Sequence, residues 1–207
     1  MKYVKMLGLA VVAAMALMAF VGASSASATV LCKTNTNPCS SKWTAGTNLE
    51  FTLKNGTSAT WKGTSGETLK TCSGAKLRGE ITSAGSASET VKLKVLENSW
   101  TSCTNATTTI KTGELEIHSI TGSTNGTITY KGAEFTTNDP IFGDCSYGTG
   151  ASGIDLGTLT ASGTGDTVID VSAFLSPVGG FCCPEVVWQE EFTITSPKET
   201  PLFVEPS

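Results

Sequence analysis

His118 is the single histidine of the 207-residue chain, so acid–base or nucleophilic chemistry near neutral pH has one ordinary imidazole to draw on. It falls on the polar face of an alternating stretch, with Ser119 beside it. A nucleophile, a base and an orienting acid must converge in space before such a pair can act. No Gly-x-Ser-x-Gly elbow supports one: Gly150-Ala151-Ser152-Gly153 and Gly63-Thr64-Ser65-Gly66 lack the spacing. Paired carboxylates could instead hydrolyse glycosides. Glu114 and Glu116 share a face, and Glu50 could meet a partner across a sheet, whereas Glu190 and Glu191 alternate to opposite faces. Same-face acids on a half-exposed strand read as solvated surface, so no catalytic residue is assigned.

Other residue types suggest binding. Asp139, Asp144, Asp155, Asp166 and Asp170 gather in late loops, the oxygen-rich setting calcium favours. They have no EF-hand spacing, and Asp also forms turns. The cysteines contain no C-x₂-C pair and the histidine is distant, which argues against zinc. No metal or cofactor is therefore expected. Trp43 and Trp100 lie near predicted loops and are the candidates for a stacking platform under sugar rings. Trp61 and Trp188 fit a core instead. Asn55, Asn105 and Asn125 open Asn-x-Thr sequons, two of which are Asn-Gly turns and read as turn chemistry.

The compartment is written into the first residues. Lys2 and Lys5 precede an apolar run, Leu7–Val21, interrupted only by Gly8. Ala26-Ser27-Ala28 then supplies small residues at a cleavage spacing. These are the three parts of a secretory signal, and cleavage after Ala28 leaves Thr29 first. A spanning helix wants about 20 consecutive apolar residues, more than this run offers. There is no twin arginine. Leu31 stands where lipid attachment to Cys32 would want Gly or Ala, and no apolar tail closes the sequence. Loss of Lys2 and Lys5 takes the formal charge from −4 to −6. That disfavours nucleic acid, which needs a basic footprint, and anionic membrane surfaces. The expected location is secreted or cell-surface, with no membrane span after cleavage.

The elements that must position these side chains are strands. After residue 29 no 3.6-residue apolar period persists, while Thr, Ser and Gly abound. Residues 29–48 read as an arm with a polar loop between Cys32 and Cys39, and 49–207 as one domain. Alternation starts at Leu49, Phe51 and Leu53. Asn55-Gly56 follows as a hairpin signal, with a return strand over 57–62. Further strands are predicted at 67–73, 76–82, 90–97, 100–104, 107–111, 114–120, 127–130, 133–137, 141–147, 156–161, 167–174, 186–195 and 202–204. In the late strand, Trp188, Glu190, Phe192 and Ile194 oppose Val187, Gln189, Glu191 and Thr193. About a dozen short strands with frequent turns predict an all-β antiparallel sandwich. A membrane barrel needs longer strands and aromatic girdles, and aromatics are only 7% of the chain.

All seven cysteines follow the signal and enter an oxidising compartment. Proximity and strand placement suggest Cys32–Cys39 and Cys72–Cys103, with Cys145 joined to Cys182 or Cys183. One thiol is left over.

The segments Leu31-Cys32-Lys33 with Pro38-Cys39, Glu67–Ser73, Gly113–His118, Asp144–Gly150, Leu156–Thr160 and Thr200–Ser207 resemble a family of small secreted β-rich proteins of soil actinobacteria. The resemblance covers nearly all of the exported chain. It implies the same compartment and fold and no assigned activity. It also implies that Cys183 is the partner of Cys145, with Cys182 unpaired. The expected function is a non-enzymatic structural or interaction protein of the envelope or secretome, with wall or matrix polysaccharide or other surface proteins as partners. A carbohydrate-binding module and a secreted glycoside hydrolase are the alternatives.

Overall fold

The computed structural model describes residues 28–104, 108–139, 143–161, 166–180, 183–198 and 200–207. The signal segment up to residue 27, Asn105 and Cys182 lie outside them. Among the described residues the strands run in chain order as follows. β1 is Thr29–Cys32, β2 Asn48–Leu53, β3 Ala59–Gly63, β4 Thr68–Ser86 and β5 Glu89–Cys103. Then come β6 Thr108–Lys111, β7 Glu114–Ser119, β8 Gly126–Lys131, β9 Glu134–Asp139 and β10 Gly143–Gly148. The last are β11 Ile154–Ala161, β12 Thr167–Leu175, β13 Pro177–Gly179, β14 Val186–Ser196 and β15 Phe203–Pro206. Among the described residues no helix is long and apolar enough to cross a membrane.

The chain is all-β, but the expected pair of facing sheets is corrected. The main sheet runs β12-β11-β8-β7-β5-β4-β2-β14, and β14 then pairs β12. That last pairing holds from Val168↔Thr193 to Leu175↔Val186 and closes the sheet into an eight-stranded antiparallel barrel. Alternation reports that one face of each strand is buried. It does not report whether the opposing face belongs to a second sheet or to the same sheet curled round.

Three local expectations also change. Asn55-Gly56 makes a turn, in which Thr57 N donates to Lys54 O at 3.1 Å and Gly56 takes φ +82°. It does not make a hairpin. β2 and β3 both run antiparallel to β4 and to β14, one beyond the other, so they are one strand interrupted by a short excursion. The separate strands predicted at 67–73 and 76–82 are both part of β4. Gly74 stays in the ladder opposite Thr101 instead of ending it. Finally, β5 runs unbroken from Glu89 to Cys103, through 90–97 and nearly all of 100–104. A register shift near Leu96 moves burial from Val91, Leu93 and Val95 to Asn98, and partly to Trp100. A bulge adds one residue to one strand and so exchanges its faces.

Both barrel mouths are covered. At one, the sheet β13-β10-β9-β6 brings Phe135 and Tyr147 against rings of the barrel lining. At the other, β1 pairs β15 from Thr29↔Pro206 to Cys32↔Phe203. There Leu31, Leu202 and Val204 join the main core. The arm is thus part of the barrel's closure. Disulfides join Cys32 to Cys39, Cys72 to Cys103 and Cys145 to Cys183. They close the polar loop, tie β4 to β5, and tie β10 to the segment before β14.

β11 and β12 come very near each other at Gly157, where the register of β11 against β8 shifts. Its φ is +141°, and a Cβ there would lie 2.0 Å from Asp170 O. Replacement of Gly157 by Ala is expected to cost about 2–4 kcal/mol, from backbone strain and overpacking together. Equilibrium denaturant unfolding of the oxidised protein would measure it, and a change within experimental error would show that the approach is not needed.

Candidate functional site

The strongest concentration of unusual chemistry lies inside the barrel. β14 alternates strictly, so Val186, Trp188, Glu190, Phe192 and Ile194 all point inward. Glu190 is therefore delivered into the core by the same periodicity that delivers Trp188. It is 4% exposed. Its Oε2 accepts a hydrogen bond from Trp100 Nε1 at 2.9 Å, while Oε1 has no hydrogen-bond partner. Burial pushes its pKa from 4.5 up to about 8, against the pull of the Trp100 and Trp188 indole N–H groups. At neutral pH the group is mostly a neutral acid.

Aromatic rings surround it. Trp100 packs edge-to-face on Trp61, Phe135 and Trp188 at centroid distances of 5.7, 5.6 and 5.5 Å. Tyr130 joins through Phe135 at 6.0 Å. Burial raises the Tyr130 hydroxyl to about 12. The Asn98 side chain and the Gly113 backbone pull the other way, and the charge of Glu190 adds to the rise. Lys70 is buried near the same end, with Nζ 5.7 Å from the Trp61 ring. Burial alone lowers its pKa to about 8. Neither Lys70 nor Glu190 shifts the other. The arrangement supplies a protonatable acid in an aromatic interior, with ring packing on most sides.

The two tryptophans expected to form a sugar platform are not on the surface as loop rings. Trp43 is 4% exposed and donates from Nε1 to Cys32 O at 3.2 Å. Trp100 belongs to β5 and is committed to the interior cluster through Glu190. The Leu96 bulge is the reason, because it turns the even-numbered positions inward.

The polar candidates are dispersed over the outer wall. Glu116 lies 2.6 Å from Lys131, 3.4 Å from Lys92 and 3.9 Å from His118 Nε2. Glu114 lies 3.6 Å from Lys92. Burial would raise Glu116, but Lys131 and then Lys92 outweigh it and hold the carboxyl below its usual range. Ser119 turns instead to Thr29, whose Oγ1 accepts from Ser119 N at 3.0 Å. Glu50 pairs with Lys76 at 3.0 Å. Glu191, on the opposite face from Glu190, pairs with Lys54 at 2.6 Å. Asp144 accepts from Asn138 Nδ2 at 2.7 Å, and Asp155 accepts from Gly157 N at 3.2 Å, each serving its own turn. Among the described residues no three of His, Cys, Asp or Glu gather as metal ligands.

No protein-family model, no curated protein and no solved structure matches this chain.

The buried carboxyl makes stability depend on pH. Its folded pKa of about 8 lies above the usual 4.5, so between these values the folded chain keeps a proton the unfolded chain gives up. The stabilisation from this group is full below the lower value and is lost as pH rises through the higher one. Over that window the loss is roughly 5 kcal/mol. Glu190→Gln, which cannot ionise, is expected to abolish that slope and to exceed the parent in stability at pH 9. Urea titrations across the pH range would test it, and a Gln variant with the parent's pH profile would refute the assignment. Trp100→Phe, which removes the indole donor, is expected to destabilise the parent by about 1–3 kcal/mol.

Proposed function

We propose that the exported chain is a non-catalytic structural or interaction module of the cell surface or extracellular space, working through its outer wall. One observation carries the reading: the barrel interior, where small barrels place a ligand, is taken up by packed rings. An eight-stranded barrel is only wide enough for side chains or for one small ligand. Here Trp61, Trp100, Tyr130, Phe135 and Trp188 form a chain of edge-to-face pairs with ring centroids 5.3 to 6.0 Å apart.

Three disulfides fit an oxidising compartment. β1 opens at Thr29, directly behind the expected cleavage point, and its hydroxyl is already bonded to Ser119. The resemblance to secreted actinobacterial proteins agrees with both. The outer wall offers alternating lysines and carboxylates joined in pairs, suited to polar partners such as wall or matrix polysaccharide or other surface proteins. The carbohydrate-binding alternative has to rest on this polar wall, because Trp43 and Trp100 are engaged inside.

Expression of the full chain in an exporting host tests the reading. The expected product begins at Thr29, fractionates with wall or medium, and resists protease until reduced. Cytosolic material with reduced thiols would overturn it. So would turnover of a polysaccharide that Glu116→Gln or Glu190→Gln abolishes while the variant stays folded.

A further inference from the structure

The β1–β15 sheet has one face on the barrel and one face away from it. Val204 points to the barrel core. Phe203 points to the other side, where it packs with Val30, Cys32 and Cys39. Glu205 is also buried, only 4% exposed. Its Oε1 has no hydrogen-bond partner, and burial alone shifts its pKa, upward. A carboxylate with one oxygen held from water and given no donor or cation carries a charge that is only partly balanced.

Glu205 lines an open pocket of about 510 Å³. One wall is the disulfide-closed loop, through Asn35 and Asn37, and another is the turn that carries Ser123 and Thr124. The loop is shaped for this. Thr34 and Thr36 engage Ser40 through their hydroxyls at 3.0 and 2.8 Å, and the alternate residues Asn35 and Asn37 are the ones that reach the pocket. The turn is fixed as well: Ser123 N donates to Ile120 O at 3.0 Å, Asn125 N to Ser123 Oγ at 3.1 Å, and Val204 N to Thr124 O at 2.9 Å. The lining is rich in oxygen and contains no aromatic ring and no basic side chain. That excludes stacking on a sugar and binding of an anion. It matches a hard cation, which takes carboxylate, amide and main-chain oxygens together with water.

We propose that this pocket is a calcium site. The Glu205 carboxylate and the Asn35 and Asn37 side-chain carbonyls are the principal ligands, oxygens of the 123–124 turn lie beside them, and water completes the shell. Bound there, the ion ties the disulfide loop and the last strand to the β7–β8 turn at one mouth of the barrel. A single carboxylate places the affinity in the weak range of extracellular modules, about 10⁻⁴–10⁻³ M. The smaller Mg²⁺ gives up its waters reluctantly and fits the site less well.

Calorimetric titration of the oxidised, exported protein with CaCl₂, and thermal unfolding at constant ionic strength, test the proposal. Saturable binding in that range is expected, with a matching rise in melting temperature and a response to MgCl₂ at least several-fold weaker. Glu205→Gln is expected to abolish the response, and Asn35→Ala to weaken it several-fold. Should Glu205→Gln fold poorly, Asn35→Asp adds a second carboxylate and is expected to tighten calcium about tenfold. The proposal is overturned by no saturable heat, by an equal response to Mg²⁺ or KCl, by Glu205→Gln binding like the parent, or by Asn35→Asp leaving the affinity unchanged.

Discussion

The barrel exists because β14 finds partners on both edges. On one side it pairs β12 over eight successive positions, and on the other it pairs β2 and then β3. Without the first of these pairings the sheet is open, with β12 and β14 as exposed edges able to pair with other chains. With it, every inward side chain of eight strands faces a common axis. Backbone hydrogen bonds of this kind contribute little net energy singly. Their value here is that they fix a register, and the register decides which side chains are buried.

That register places Glu190 inside, and the alternative is worse. A slip of one residue along β14 would turn Val187, Gln189, Glu191 and Thr193 inward and expose Trp188 and Phe192. The native choice buries one polar group in exchange for several apolar ones. It then meets the cost of that group in two ways. A proton removes the charge, and the Trp100 N–H satisfies one oxygen. The Leu96 bulge belongs to the same solution, because it is what brings Asn98 and Trp100 to the interior face. Strand irregularity on β5 and a polar residue on β14 are thus complementary features of one interior.

Much of this was legible in the residues and some was not. The all-β class, the β7, β12 and β14 strands and the inward set of β14 follow from period-two alternation alone. So does the opposite facing of Glu190 and Glu191. Barrel closure does not, because β12 and β14 would alternate identically as neighbours in a sandwich. The Asn55-Gly56 turn is real, yet a turn fixes only four residues. Its exit direction was set by β4 and β14, which accept β3 in line with β2. Trp100 was misplaced because one inserted residue reverses the parity of everything after it. Trp43 sits between short elements and looks loop-like, but its indole N–H caps a strand carbonyl and draws the ring inward.

Glu190 and Glu205 pose the same electrostatic problem at two depths. Each is 4% exposed, each has an oxygen without a hydrogen-bond partner, and burial raises each pKa. Around Glu190 the neighbours are rings and indole donors, which suit a neutral acid and leave little room for anything else. Around Glu205 the neighbours are amides, hydroxyls and carbonyls opening onto a pocket, and these can share a cation. Burial by itself therefore does not distinguish a structural carboxyl from a binding one. The chemistry of the surrounding wall does. By that criterion the interior acid is a polar group that the barrel's register buries and its indole donors accommodate, while the acid at the mouth, where the two ends of the folded domain meet, is placed to bind.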